Sequence, residues 1–247
     1  MSQDAFSAHP ELADKIAPAE GSALRTLNLT NLEAMLREKG LPTGWWYDDA
    51  TREGMRAATL ADHDGDLWVF GYGSLMWDPA LRFAEVRRAY APHHARRMIL
   101  RDIYGGRGTA TAPGLMAALD TGDGCHGLAF RIAAGELDTE TRILWQREMI
   151  APCYQAQFIP VQIDGQTVSA LGFIADHGTE LIAGDLTRAQ QVDYLVTGSG
   201  FLGTSFDYLH NVVQHLHDLG LPDRELDVLL DQARHGMALA NGRNQVP

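Results

Sequence analysis

A short apolar run, Leu67-Trp68-Val69-Phe70, feeds directly into Gly71-Tyr72-Gly73-Ser74-Leu75-Met76-Trp77. Four apolar residues stopped by glycine have the form of a buried strand ending in a tight loop. Glycine lets the backbone turn sharply and come close to a ligand, so successive N–H groups can face one cavity, an arrangement suited to a carboxylate or a developing oxyanion. The same residues also fit an ordinary tight turn with buried aromatics, and both readings stand at this point. Two phosphate- and ester-handling motifs are excluded. No Gly-Lys-Ser/Thr follows, as a P-loop requires, and Met76 occupies the place where a nucleophile elbow needs its second glycine.

The chain around this loop divides by pattern. Residues 1–66 read as a polar arm with one short helix, for which Thr30-Asn31-Leu32-Glu33 resembles a capping box and Gly40 and Pro42 supply the stop. The turn-rich stretch 61–66 closes the arm. Residues 67–237 read as one domain and 238–247 as a C-terminal tail. Further strands are expected at 84–91, 94–100, 115–119, 127–132, 155–163 and 168–174, with Asp164-Gly165 as the turn of a hairpin. Helices are expected at 137–149, 189–197, 205–219 and 222–236. Strands first, one inserted helix and helices last imply an α+β fold, a small curved mixed sheet or barrel packed by helices.

With 247 residues and 45% hydrophobic side chains, the chain has the means to bury a sizeable core. Its formal charge of −12 argues against nucleic acid or an anionic membrane as main partner, though not against a small anion held by a local arginine cluster. Only Cys125 and Cys153 occur, without a Cys-x-x-Cys spacing, so buried thiols in a reducing compartment are expected rather than a redox pair. The start has neither a basic stretch nor an apolar run, and no apolar stretch approaches the ~20 residues of a membrane span. A cytoplasmic protein is expected.

The motif Gly71-Tyr72-Gly73-Ser74-Leu75, extended by Trp77 and Pro79, resembles the signature of the ChaC branch of the gamma-glutamylcyclotransferase superfamily. The resemblance continues through Arg96-Arg97, Gly106-Arg107-Gly108-Thr109, Pro113-Gly114-Leu115, residues 127–132 and Leu144-Trp145-Gln146-Arg147-Glu148-Met149. It implies cleavage of glutathione into 5-oxoproline and cysteinylglycine, formally a carbon–nitrogen lyase reaction, with no metal and no cofactor. It also implies that Glu148 is the catalytic acid–base and that Tyr72, Gly73, Ser74 and Leu75 hold the gamma-glutamyl group. The chemistry asks for such a carboxylate. An α-amine with a pKa near ~8 is mostly protonated at neutral pH, and a base must free it before it attacks the γ-carbonyl. A free glutamate is a poor match for that task, so burial around Glu148 is expected. The competing reading places Glu148 on a helix surface, paired with Arg147 or Arg142.

Arg97, Arg101 and Arg107 are candidates to neutralise the substrate carboxylates, since the guanidinium fork suits such groups. Tyr208 resembles a C-terminal tyrosine near the family's site. Glu136, Glu140 and Glu180 lack that context and are expected to be solvated. Gly198-Ser199-Gly200-Phe201-Leu202-Gly203 spells a dinucleotide fingerprint but follows a helical pattern, so a helix-linking loop is expected. His210, His215 and His217 lack the i, i+4 spacing of helical zinc sites. The expected partner is therefore a small molecule, glutathione. The alternatives are a cyclotransferase for other gamma-glutamyl amino acids or amines, and a non-catalytic binding module of the same fold.

Overall fold

The computed structural model describes residues 3–243. Packing divides the chain into two compact units. The first runs to Arg96 and takes in Leu119–Asp176; the second comprises Arg97–Ala118 and the chain from His177 onwards.

The first unit is built on a closed five-stranded barrel. Strands β1 (Leu67–Gly71), β2 (Glu85–Ala91), β5 (Cys125–Ile132), β6 (Tyr154–Ile163) and β7 (Gln166–Ala175) follow one another in the order β1-β5-β2-β6-β7, and a parallel β1–β7 pairing closes the ring. All other pairings within the ring are antiparallel, so the expected curved mixed sheet is a barrel. Phe70, Ala89, Ala129, Ile159, Val161 and Ala170 pack into one buried cluster, the alternation expected when one face of every strand points inward. The β6–β7 turn is the anticipated one: Asp164 and Gly165 both have positive φ, 48° and 78°, as a two-residue turn with the twist of a hairpin requires. Helix α3 (Leu137–Glu148) follows β5.

The arm is more structured than its sequence suggested. Helix α1 (Leu29–Glu38) is capped by Asn28, whose side chain accepts from the Thr30 and Asn31 amides at 2.9 and 3.2 Å, so the cap lies before the Thr30 box. The stop is as expected. Gly40 has φ 67°, and Leu41 N–H donates to the Leu36 carbonyl at 2.8 Å, a left-handed termination that satisfies the last carbonyls. A second helix, α2 (Asp49–Leu60), was not anticipated, because its buried residues are Arg52 and Arg56 rather than aliphatics.

Strands β3 (His94–Tyr104) and β4 (Thr109–Thr121) carry the chain from the first unit into the second and back. The second unit contains α4 (Arg188–Thr197), α5 (Ser205–Asp218) and α6 (Arg224–Arg243). The glycine-rich segment 198–203 links α4 to α5, as expected, through a minimal two-strand hairpin, β8 (Ser199–Gly200) with β9 (Gly203–Thr204). Gly236 does not end the last helix. A Cβ there would lie 3.1 Å from Val192 and 3.2 Å from Val196, so the glycine marks close contact between α4 and α6. The helix continues to Arg243, and residues 244–247 of the expected tail lie outside the described residues. Among the described residues no helix is long and apolar enough to cross a membrane.

Candidate functional site

The loop after β1 is fixed by its neighbours in the barrel. A Cβ on Gly127 would come within 2.3 Å of the Gly71 carbonyl and 2.8 Å of the Phe70 ring, so this close approach of β5 to β1 tolerates only glycine. Beyond Gly71 the chain forms a 3-10 turn, Ser74–Met76, in which Met76 N–H donates to the Gly73 carbonyl at 2.9 Å and Trp77 N–H to that of Ser74 at 3.2 Å. As the first amides of the turn, those of Ser74 and Leu75 receive no partner from it. Tyr72 and Leu75 are buried, 4% and 3% exposed.

Arg96, rather than Arg97, contacts this loop. Its side chain is buried, its Nε donates to the Tyr72 carbonyl, and its Nη2 reaches the His126 carbonyl at 2.5 Å. Strand alternation decides between the two: Arg96 points inward, whereas Arg97 is exposed. Both arginines fall in the family-like stretch, and their residue types alone do not separate them.

Glu148 stands at the C-terminal end of α3, with its side chain 14% exposed. Its expected shielding is therefore present, and so is the pairing with Arg147 that the competing reading invoked. Arg142 is engaged elsewhere, with Asp138 and Glu53. Arg147, only 4% exposed, uses its whole fork: Nε donates to Glu148 Oε1 at 2.7 Å, Nη1 to the Asp78 carbonyl at 2.6 Å and Nη2 to Ser74 Oγ at 3.0 Å. One guanidinium thus joins the end of α3 to both ends of the turn after β1. No contact of this kind was assigned to Arg147 from sequence, where it figured only as a surface partner.

Two further groups flank Glu148. Burial, with the Glu148 charge second, pushes the Cys153 thiol up to about 12. Burial likewise holds the Tyr154 hydroxyl well above the usual tyrosine range, with Tyr72 the next contributor through its charge and a hydrogen bond between the two side chains. Both therefore remain protonated across the physiological range. Tyr47 of the arm arrives at the same corner: its N–H donates to the Ile150 carbonyl at 2.9 Å, and burial raises its hydroxyl, helped by Asp176 and Cys153. The carboxylate of Glu148, the Ser74 hydroxyl and the Arg147 fork form a shielded polar cluster able to take a proton from an amine and return it to a leaving nitrogen.

The remaining candidates belong to the second unit. Arg107 lies 4.9 Å above the Tyr208 ring and donates to the Thr204 carbonyl at 3.2 Å. Burial lowers its pKa, as expected of a guanidinium partly withdrawn from water. The Tyr208 hydroxyl accepts from the Ala117 amide at 3.4 Å. The Asp102 carboxylate shapes the turn below, taking the Tyr104 amide at 2.9 Å and the Arg107 amide as well. Arg101 is paired with Glu180 at 3.7 Å, so that candidate is already occupied by a carboxylate.

Glu136 and Glu180 are exposed, as expected, but Glu140 is not: it is fully buried. Arg25, which lies 115 positions away in sequence, holds both its oxygens at 2.7 and 2.6 Å, and the Arg82 amide donates to it at 2.8 Å. Cys125 and Cys153 are buried and form no disulfide. Among the described residues no group of three or more His, Cys, Asp or Glu is placed to hold a metal ion. His215 and His217 are engaged separately, with the Asn211 carbonyl and with Asp227, each at 2.7 Å.

Residues 67–235 match the family model described as ChaC-like protein. The glutathione-specific gamma-glutamylcyclotransferase of Escherichia coli (strain K12) is 43% identical over 178 residues, which cover 70% of this chain and 76% of that protein. The human glutathione-specific gamma-glutamylcyclotransferase 1 is 25% identical over 185 residues, covering 71% and 83%. The crystal structure of a yeast gamma-glutamylcyclotransferase specific to glutathione superposes with a TM-score of 0.60 at 18% identity, over 70% of this chain and 100% of that one, a likeness of fold.

Proposed function

The chain belongs to the ChaC-like protein family, and on that premise we propose that it is a glutathione-specific gamma-glutamylcyclotransferase of the cytoplasm. The observation that carries the reading is the Arg147 fork, which fixes the shielded Glu148 carboxylate beside Ser74 of the glycine-rich loop. The substrate is a small molecule whose gamma-glutamyl end fits the Tyr72–Gly73–Ser74–Leu75 loop, with the leading amides of the turn facing the γ-carbonyl oxygen. Two buried cysteines outside any disulfide accord with a reducing compartment.

In the proposed reaction Glu148 removes a proton from the substrate α-ammonium. The amine nitrogen then bonds to the γ-carbonyl carbon of the same residue, and the loop amides stabilise the oxyanion. As the carbonyl reforms, the γ-carbon–nitrogen bond to cysteine breaks. Glu148 returns its proton to the departing nitrogen, and the second proton of the ring nitrogen then passes, again by way of Glu148, to the freed amine, so 5-oxoproline and protonated cysteinylglycine leave with atoms and charge balanced. Nucleophile and electrophile belong to one molecule, so the main contribution of the loop is to hold the bent conformer that places them in contact. Ser74 needs no role as nucleophile. Arg107, with Tyr208 beneath it, and exposed Arg97 are assigned to the substrate carboxylates on chemical grounds.

The test is a 5-oxoproline assay on reduced glutathione, beside gamma-glutamyl-alanine and beside Glu148→Gln. Turnover of glutathione alone, lost in a folded Glu148→Gln protein by at least ~100-fold, is the expected result. Turnover of the dipeptide in its place would reassign the substrate, and turnover of neither would leave a binding module.

A further inference from the structure

The arm lies outside the stretch that matches the family, yet it grips the Glu148-bearing helix along its length. Arg56 donates to Asp138 and Thr141, each at 2.8 Å. Glu53 accepts from Arg142 at 2.9 Å, Gln146 donates to the Leu27 carbonyl, and Tyr47 N–H caps Ile150 just past the helix end at 2.9 Å. The firmest grip is that of Arg25 on Glu140, which lies two turns before Glu148 and on the same helix.

Arg25 does more than neutralise Glu140. The Nη1 that bonds Glu140 also donates to the Ala80 carbonyl at 2.8 Å. Ala80 has a φ of 56°, a left-handed conformation that alanine adopts only under constraint. It sits in the segment that continues the glycine-rich loop, and three residues earlier Ala17 N–H binds the Trp77 carbonyl at 2.7 Å. From the other side the Arg82 amide binds Glu140 at 2.8 Å. Arm, helix α3 and loop segment 77–82 therefore meet at one carboxylate with no exposure, held by three donors.

We propose that the arm is a positioning element of the catalytic centre, in which the Arg25–Glu140 pair sets the loop segment 77–82 against helix α3 and so fixes the glycine-rich loop relative to Glu148. This rests on the proposed function, since it gives the brace a reaction to serve. Arg147 ties the same two elements at the far end of the helix, through Asp78 and Ser74. Arg25 supplies the second tie, and two ties fix an orientation that one leaves free to pivot.

The test uses the full chain with four variants: Arg25→Met, Arg25→Lys, Glu140→Gln and the double Arg25→Met/Glu140→Gln. The single neutral variants leave a buried charge alone and can fail to fold, which is why the double variant, without either charge, is decisive. Two readouts are taken together: kcat and KM for glutathione, and hydrogen exchange at the Trp77, Asp78 and Met149 amides. The expected result for the double variant is a cooperative melt, faster exchange at those three amides, a kcat lower by roughly 10- to 100-fold and a KM changed less than about 3-fold, since small misplacements of reacting groups act on the chemical step. Arg25→Lys, with its charge but no fork, falls between. A folded double variant with wild-type kcat, or with unchanged exchange at the three amides, overturns the proposal. If the wild-type protein itself leaves glutathione untouched, the functional reading fails instead, and the exchange data still show whether the brace holds the loop.

Discussion

Replacing Arg147 by Met removes one charged group from three partners at once, and the structure sets the size of the effect. The side chain is 4% exposed and its ion-pair partner Glu148 14%, so neither regains much solvent when the other is lost. Methionine refills most of the volume of the stem, so the loss is electrostatic rather than a cavity. Deleting one partner of a buried pair typically destabilises by about 3–5 kcal/mol. The partial exposure of Glu148 and the adaptable Ser74 hydroxyl place this case at the lower end, about 3 kcal/mol. For a chain of 150–250 residues each kcal/mol moves the melting temperature by roughly 2–4 °C, so the midpoint should fall by about 6–12 °C. Arg147→Lys retains the charge but reaches one partner at a time, and should lose about half as much. Melting followed by far-ultraviolet circular dichroism at neutral pH gives the answer. A drop under about 3 °C for Arg147→Met would show that the fork is not the joint between α3 and the loop.

Four further outcomes follow from other parts of the molecule. Gly127→Ala places a Cβ 2.3 Å from the Gly71 carbonyl. It should destabilise by more than about 2 kcal/mol or prevent soluble folding, read as the midpoint in urea. Cys153, held near about 12 by burial and the Glu148 charge against a normal value of 9.0, stays a thiol at pH 8, so iodoacetamide should label it only after unfolding. In the alkaline range the unfolded chain ionises Cys153 and Tyr154 first, from 9.0 and 10.0, while the folded state keeps both protonated. The stability they contribute is complete below about pH 9 and should decline as pH rises towards 12, a slope that urea titrations at pH 8 to 11 will show. At the other end burial lowers the pKa of His94 from 6.5, so its contribution is present above that value and should fade as pH drops below it, a slope expected to flatten in His94→Gln.

Strands and helices with strong periodicity were legible, and so was the mixed sheet that they form. Leu67–Gly71, the Asp164-Gly165 turn and the left-handed stop at Gly40 follow from residue types alone. Helix α2 was missed because a pattern search asks for aliphatic residues, whereas this helix buries Arg52 and Arg56 through partners that local sequence does not reveal. Glu140 was misjudged for the same reason: its partner Arg25 lies far away in the chain, and nothing beside Glu140 announces it. The extent of β4 was also underestimated, since Thr109-Ala110-Thr111-Ala112-Pro113 shows no hydrophobic alternation. At the site, the loop and Glu148 came from family resemblance. That they are joined by Arg147, and that Arg96 rather than Arg97 holds Tyr72, needed the geometry.

The parallel seam that closes the barrel carries a consequence for how the protein is made. Every sheet partner of β1 is synthesised long after β1 itself: Gly71 pairs with Leu128, and Trp68 and Val69 wait for Ala170 and Leu171. At about 5–20 residues per second, the interval between Gly71 and Leu171 leaving the ribosome is roughly 5–20 s. Through that time an apolar strand with open edges is exposed to other nascent chains, the circumstance in which strand edges pair wrongly. Closure of the barrel is thus among the last steps open to the growing chain, and a ribosome stalled before β7 releases a fragment whose β1 edge is still unpaired on that side.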